Sequence, residues 1–162
     1  AHSYADTLIT PMNDSFIDLD VLAKVEPETM EIVRPSAYAE FVWENRKKRI
    51  QRDGGSIDWI VARNRLSSLD SRNRRAVADV LTSLSNRIGF RVAPGFSERM
   101  IFRELFLKGL TLLDLRDPDA GIRLNMSHLA ARQEVRMMLE AIGLPESVEQ
   151  DEGPRALGSA DT

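Results

Sequence analysis

Three short segments carry the residues best suited to binding a ligand. They are residues 11–15, Arg63-Asn64-Arg65 and Pro94-Gly95. Together they supply amides, carboxylates and guanidinium groups, on backbone that Pro and Gly hold in turn conformations. Each follows a run of β-forming residues, and in a parallel sheet ligands bind beyond the carboxyl ends of the strands. We therefore expect the three segments to be neighbours at one edge of a sheet and to form a binding site there.

Common catalytic motifs are absent from the sequence. It contains no Gly-x-x-x-x-Gly-Lys-Ser/Thr loop to cradle phosphates, and no Gly-x-Gly-x-x-Gly fingerprint. His2 and His128 lack metal-ligand spacing, and there is no cysteine to serve as a ligand or nucleophile. Asp14, Asp18 and Asp20 could flank a cation, but acids in the first turns of a helix are the simpler interpretation because the helix dipole favours them. No catalytic residue is assigned.

Positive charge is concentrated in one part of the chain. The net charge is −3, yet residues 46–75 hold ten Lys or Arg against three acids. A basic stretch on an acidic background can bind a polyanion. The simpler interpretation, a solvated helix face, is the one we adopt for the cluster Arg46, Lys47, Lys48, Arg49 and Arg52.

Alternating strand and helix patterns position these segments. Strands are predicted at residues 7–10 (ended by Pro11), 57–66 and 90–93, the second being apolar enough to be buried on both faces. Helices are predicted after an Asp14 or Ser15 cap, from Ser36 to Gly54, and at residues 72–88, 97–108 and 127–142, with Ser97 capping the fourth. Residues 110–115 are ambiguous. The alternation indicates an α/β fold with a parallel sheet and flanking helices.

Apolar residues at helical spacing predict the buried face of each longer helix. These residues are Ala37, Phe41, Val42 and Ile50 in the second helix, Val77, Val80, Leu81, Leu84 and Ile88 in the third, and Val135, Met138, Leu139 and Ile142 in the last. Gly89 and Gly143 are expected in the left-handed conformation that ends a helix. Residues 1–144 are predicted to form one domain, and the acidic residues 145–162, which lack aromatics, a disordered tail.

The overall composition narrows the class of protein. The chain has 162 residues, 43% hydrophobic and 29% charged, as is usual for a globular domain. No apolar run approaches the roughly 20 residues that span a bilayer, so no membrane partner is expected. The absence of cysteine favours a reducing compartment. The N-terminus has no signal-peptide pattern. Because the chain begins with Ala1 and lacks an initiator Met, we expect it to be part of a longer protein.

Several motifs, in the same order, resemble the MipZ family of ParA/MinD-type ATPases. They are DTLITPMNDSF at residues 6–16, WIVARNRL at 59–66, GFRVAPGF at 89–96, RELF and GLTLLDL within 103–115, and HLAARQE at 128–134. The likeness extends over about residues 1–144. Because several motifs of seven or more residues occur in register, the resemblance is far more specific than a lone glycine pattern.

The resemblance implies a partial P-loop NTPase fold of the ParA/MinD type whose N-terminal, phosphate-binding half is missing from this chain. The intact protein would bind ATP and Mg²⁺, form a face-to-face homodimer, hydrolyse ATP slowly and bind DNA without sequence preference. It would also contact the centromere-binding partition protein ParB and position the division plane by inhibiting FtsZ assembly. It would lie in the bacterial cytoplasm, associated with the nucleoid. The chain alone is expected to be inactive.

The resemblance also assigns candidate site residues. Asn64, Arg65, Pro94 and Gly95 would border the base of the nucleotide, although a strand-end turn and a Pro-Gly turn explain the same residues without a ligand. Arg63, Arg72, Arg74 and Arg75 would bind DNA phosphates, which the planar guanidinium suits. The alternative function is a DNA- or protein-binding adaptor that has no P-loop and no enzymatic activity.

Overall fold

The computed structural model describes residues 1–26, 28–29, 31–66, 71–112, 114–116 and 125–143, without the side chains of 71–73 and 116. The strands are β1 (Thr7–Asn13), β2 (Ala23–Val25), β3 (Ile32–Pro35), β4 (Asp58–Asn64) and β5 (Arg91–Ala93). The helices are α1 (Phe16–Leu19), α2 (Ala37–Asp53), α3 (Ser71–Leu84), α4 (Met100–Leu107) and α5 (Met126–Ile142). Within the ambiguous stretch 110–115, Asp114 begins a 3₁₀ turn that ends at Arg116. The predicted tail, residues 145–162, lies outside the described residues.

The main sheet is parallel, as the alternation of strands and helices predicted. Its order among the described residues is β1-β4-β5, with Ile9 opposite Ile60 and Val61 opposite Val92. The central strand β4 is buried on both faces, since Trp59 and Val61 point to one face and Ile60 and Ala62 to the other. The α/β class predicted from the sequence is therefore confirmed.

Pro11 does not end the first strand, and the prediction that it would was wrong. The strand continues to Asn13, with Pro11 opposite Ala62. The backbone groups of Asp6 and Asp14 bond to β4, through Asp58 N to Asp6 O (2.9 Å) and Asp14 N to Asn64 O (3.1 Å). Because residues alternate along a strand, the odd-numbered positions direct their backbone groups away from β4. Pro11 therefore lies on the outer edge, where its missing N–H costs the ladder nothing.

The segment between α1 and α2, where the sequence analysis predicts no strand, contains a second small sheet. Strands β2 and β3 pair antiparallel, with Lys24 opposite Arg34. The strands are too short for an alternating pattern to show in the sequence. Helix α1 before them is capped by Ser15, one of the two predicted caps, whose Oγ accepts from Ile17 N at 3.2 Å.

One face of the main sheet is covered by α2 and α3. Its core contains strand residues Met12, Trp59 and Val61 and helix residues Ala39, Val42, Val77, Val80, Leu81 and Leu84. The predicted buried face of α3 is thus confirmed, and the helix continues through a π-helical turn (Ser85–Gly89) to Gly89, whose φ of 83° is left-handed as predicted. In α2 the prediction was confirmed for Val42 and wrong for Ala37, Phe41 and Ile50, which are exposed. The other buried residues of this helix are Ala39 and Asn45.

The other face of the sheet is covered unevenly. Helix α5 packs over β4 and β5, where Met138 joins Ile60, Ala62 and Ala93 in a second cluster. The prediction that Leu139 is buried was wrong, since α5 turns it outward. The register places the side chains of Ile9 and Pro11 on this same face. Ile9 nevertheless remains 39% exposed and Pro11 is exposed as well, so the β1 part of the face is open.

A carboxylate of α5 holds the segment between β5 and α4. Glu134 accepts hydrogen bonds from Ser97 N (3.2 Å), Ser97 Oγ (2.7 Å) and Arg99 Nη2 (2.7 Å). Ser97 is therefore not the predicted N-cap of α4, which begins at Met100 with Arg99 in the cap position and no side-chain cap. Burial alone raises the pKa of Glu134, but the hydrogen bonds from Arg99 and Ser97 outweigh it and hold the pKa below its ordinary value.

Replacing this carboxylate should change the acid limb of the stability curve. A group whose pKa is lower in the folded chain stabilises it above the unfolded pKa, about 4.3, and loses that contribution as pH falls through the folded value. We expect Glu134→Gln to lower the free energy of unfolding by about 1–2 kcal/mol near neutral pH and by progressively less below the unfolded pKa. Urea titrations across this range measure the difference. Glu140→Gln, at an exposed position of α5, is the control. A difference in unfolding free energy between Glu134→Gln and the unsubstituted chain that does not change with pH would contradict the lowered pKa of Glu134.

Candidate functional site

The three segments expected at the carboxyl ends of the strands lie together in the structure. Asn13 and Asn64, the last residues of β1 and β4, are opposite each other in the register. On the other side of β4, the residues after β5 bond to the same strand end, through Phe96 N to Arg63 O (2.9 Å) and Leu66 N to Phe96 O (2.9 Å). The end of β4 is thus held on both sides by backbone hydrogen bonds. This geometry brings the residues together; their binding roles stay predictions.

Close packing against β4 explains why residue 95 is a glycine. A Cβ at this position would lie 2.7 Å from the carbonyl oxygen of Arg63 and 2.9 Å from its Cβ. Backbone of β4 cannot move aside as a flexible side chain would, so a larger residue would push the loop away from the sheet. Pro94 is half-buried beside it. The Pro-Gly loop is therefore at least a close-packed turn, and this packing is independent of any ligand.

An ion pair between Asp14 and Arg63 ties the β1–α1 loop to the end of β4. Asp14 Oδ1 accepts from Arg63 Nε at 2.9 Å and from Nη2. Arg63 Nη2 also donates to the carbonyl oxygen of Arg74 in α3, at 3.0 Å. The side chains of Asp14 and Arg63 are only 6% and 13% exposed, respectively. Nothing in the sequence indicates this pairing, because the partners are 49 residues apart.

A cavity of about 330 Å³ opens between β1, α1 and the end of β4. Its lining residues are Pro11, Met12, Asn13, Asp18, Val21 and Asn64. Asp18 is engaged with the protein, since its Oδ2 accepts from Asn13 N at 2.9 Å. The volume lies at the small end of the range for ligand sites. Of the predicted base-binding residues, Asn64 lines this cavity, whereas Pro94 and Gly95 belong to the β5 side of the edge.

Asn64 and Arg65 present their side chains to solvent at this edge. Arg65 has a φ of 53°, a left-handed conformation that non-glycine residues seldom adopt. Such conformations cost about 1–3 kcal/mol and concentrate at binding sites. The turn at Arg65 redirects the chain from β4 toward Leu66, which pairs with Ser97 in an isolated bridge. The amide of Asn64, with two donors and an acceptor, is the group here best suited to reading a nucleobase edge.

The structure separates the four predicted DNA-binding arginines. Arg63 points inward to Asp14, as described above. Arg74 and Arg75 are exposed in the first turns of α3, next to the sheet edge to which Arg63 connects them. Arg72 lies in the first turn of the same helix, and its side chain is outside the described part. Arg74 and Arg75 are therefore the predicted DNA-binding arginines whose residues the structure shows to be exposed.

The prediction that the basic cluster on α2 is a solvated face was only partly right, since Lys47 and Lys48 are exposed but the three arginines bind other parts of the chain. Arg46 donates to the carbonyl of Ile57 (3.2 Å) and stacks over Trp59. Arg49 pairs with Asp6 (2.7 Å) and Asp53 (3.0 Å). Arg52 donates to Ser3 O (2.9 Å) and lies 4.1 Å from the centre of the Tyr4 ring. Arg49 and Arg52 fasten the first residues of the chain to α2, and Arg46 binds α2 to Ile57 and Trp59. Three of the five basic residues therefore have a structural role.

Two further classes of site, metal centres and membrane spans, have no counterpart among the residues that the structure describes. These residues contain no group of three or more His, Cys, Asp or Glu arranged to hold a metal ion. Of the helices in the described ranges, none combines the length and apolar character needed to cross a membrane.

The chain matches a known protein family over most of its length. The sequence model of a family described as ATPase MipZ matches residues 1–146. This range includes the sheet, the helices and the loop cluster at the carboxyl edge. No curated protein matches the chain at a significant level.

Proposed function

This chain belongs to the MipZ family, and we propose that it is the C-terminal part of a MipZ-like ATPase of the ParA/MinD branch of P-loop NTPases. In this proposal the phosphate-binding half precedes residue 1. The intact protein binds ATP and Mg²⁺, dimerises and binds DNA without sequence preference. It contacts ParB and positions the division plane by inhibiting FtsZ assembly, in the bacterial cytoplasm at the nucleoid.

The proposal depends on one observation above all, the exposed amide of Asn64 at the carboxyl end of the central strand. It borders a cavity between β1 and α1, and the unusual φ of Arg65 follows it directly. The carboxyl edge is where open α/β sheets bind nucleotides. We assign Asn64 and Arg65 to the base of ATP, with Pro94 and Gly95 closing the β5 side. No residue of this chain is assigned to the Mg²⁺ or to the phosphates.

The open side of β1 supports the position of the phosphate-binding half. The outer edge of β1 has no neighbouring strand in the described residues, and Ile9 and Pro11 on one face of this strand are exposed. Apolar side chains and backbone groups at a strand edge are normally paired or covered. A preceding α/β half would cover both and would bring its phosphate loop to the same carboxyl edge.

The DNA surface in this proposal is the start of α3. Arg74 and Arg75 are exposed there and Arg72 lies in the same turn. Guanidinium groups bind phosphate oxygens through paired hydrogen bonds, and such contacts do not read the base sequence. The surface is therefore consistent with binding that has no sequence preference.

Binding of the intact protein to duplex DNA, with and without ATP, tests this function. For Arg74→Ala with Arg75→Ala we expect weaker binding and a log K against log[salt] slope that is shallower by up to about 1.8, about 0.9 for each phosphate that is no longer neutralised. The control, Arg103→Ala with Arg136→Ala, removes the same charge at exposed positions of α4 and α5 and should keep the slope. Binding that needs ATP supports the ATPase. Binding indifferent to ATP favours the adaptor without enzymatic activity, and an unchanged slope contradicts the assigned surface.

A further inference from the structure

Arg63 joins three parts of the molecule that the chain itself connects only through long segments. Its side chain reaches Asp14 in the β1–α1 loop and the carbonyl of Arg74 in α3. Its own carbonyl accepts from Phe96 in the loop after β5. Residues 67–70, between β4 and α3, lie outside the described part of the chain. The hydrogen bond from Arg63 to the Arg74 carbonyl links the end of β4 directly to the first turns of the helix.

We propose that the Asp14–Arg63 pair is a positioning device that fixes the first turns of α3, and with them Arg74 and Arg75, relative to the edge of the sheet. The inference rests on the proposed DNA-binding function of α3. It gives Arg63 a role different from a DNA contact: the guanidinium acts through Arg74 and does not itself touch phosphate. Asp14 takes part because its carboxylate orients the guanidinium of Arg63. In this orientation Arg63 Nη2 donates to both Asp14 Oδ1 and the carbonyl oxygen of Arg74.

The geometry favours positioning over direct contact. Three donations from Arg63 are made within the chain, and a side chain that is 13% exposed has little surface left for a phosphate. Asp14, which is 6% exposed, would repel a phosphate brought to the same guanidinium. Lysine could not replace Arg63, because a single ammonium lacks the planar fork that presents Nε and Nη2 together.

Direct contact of Arg63 with DNA and positioning of α3 by Arg63 predict opposite changes in DNA affinity for the substitution Asp14→Asn. Asp14→Asn removes a negative charge while keeping the shape of the side chain. If Arg63 contacted DNA, this change would release its guanidinium and tighten binding. If the pair positions α3, the change loosens the first turns of the helix and weakens binding in spite of the more favourable charge.

The experiment measures DNA affinity and amide hydrogen exchange in the intact protein. We expect Asp14→Asn and Arg63→Lys each to weaken DNA binding by about five- to tenfold. Amide exchange of residues 75–78, whose N–H groups donate to the first carbonyls of α3, should become faster. The matched control is Asp79→Asn, which removes a carboxylate from an exposed position of α3. It should bind DNA as well as or better than the unsubstituted protein, with unchanged exchange.

Binding by Asp14→Asn that is as tight as that of the unsubstituted protein, with unchanged exchange at 75–78, would overturn the proposal. If Asp14→Asn does not fold, Arg63→Lys supplies the same two readouts. If the unsubstituted protein binds no DNA, the proposed function fails, and hydrogen exchange alone decides the positioning claim: faster exchange at 75–78 supports it and unchanged exchange overturns it.

Discussion

Trp59→Ala is expected to lower the free energy of unfolding by about 3–5 kcal/mol, the range for removing a large aromatic side chain from a core. Trp59 is 1% exposed and belongs to the cluster between the sheet and helices α2 and α3. Its ring packs against Tyr38 and Phe90, with centroids 6.1 and 5.3 Å away. Its Nε1 donates to Thr10 Oγ1 at 2.9 Å. The substitution would therefore remove packing, a buried hydrogen bond and the surface on which Arg46 stacks.

The second tryptophan of the chain is a matched control. Trp43 in α2 is 55% exposed, and we expect Trp43→Ala to change the free energy of unfolding by no more than about 0.5 kcal/mol. Urea unfolding followed by circular dichroism compares the two variants without depending on the fluorescence that each substitution removes. Equal losses of stability would contradict the placement of Trp59 in the core.

Elements with a strong local signal could be predicted from the sequence. The continuous apolar run around Trp59 identified β4 as buried on both faces, and the spacing of Val77, Leu81 and Leu84 identified the buried face of α3. Gly143 adopts the left-handed conformation that its position after the last helix requires. These features depend on neighbours within one helix or strand, so the sequence contains the information for them.

Features that depend on distant partners could not be predicted. Pro11 is tolerated within β1 because it lies on the outer edge of the sheet, and the sequence does not show which strand is the edge. Glu134 meets Ser97 and Asp14 meets Arg63 across 37 and 49 residues. In α2, a buried polar residue interrupts the expected apolar pattern: Asn45 satisfies its amide by donating to Phe41 O at 2.8 Å.

In the candidate site, likewise, the location could be predicted from the sequence and the contacts between distant residues could not. Its location followed from a general property of parallel sheets, so the three loops could be placed together from their order in the chain. The inward direction of the Arg63 side chain could not be predicted, because it is set by Asp14 and by the position of α3. The roles of Asn64, Arg65, Pro94 and Gly95 stay predictions, and among them Asn64 borders a cavity.

The second large effect is expected at Asn64. In the proposed site its amide makes hydrogen bonds to the base that alanine cannot make, and a buried polar group left without its partner costs about 1–3 kcal/mol. Asn64→Ala should therefore weaken ATP binding to the intact protein by about ten- to a hundredfold. Inorganic tripolyphosphate has no base, so its affinity should be unchanged by the substitution. Asn86→Ala, which removes an exposed amide from the π-helical turn after α3, should bind both ligands as the unsubstituted protein does.

Calorimetric titration of the intact protein and its Asn64→Ala variant with ATP and with tripolyphosphate is the most direct test of the proposed nucleotide site. We expect a selective loss of ATP affinity in Asn64→Ala, with tripolyphosphate affinity retained. Equal ATP affinities of the two proteins would contradict the assignment of this edge of the sheet to the nucleotide base.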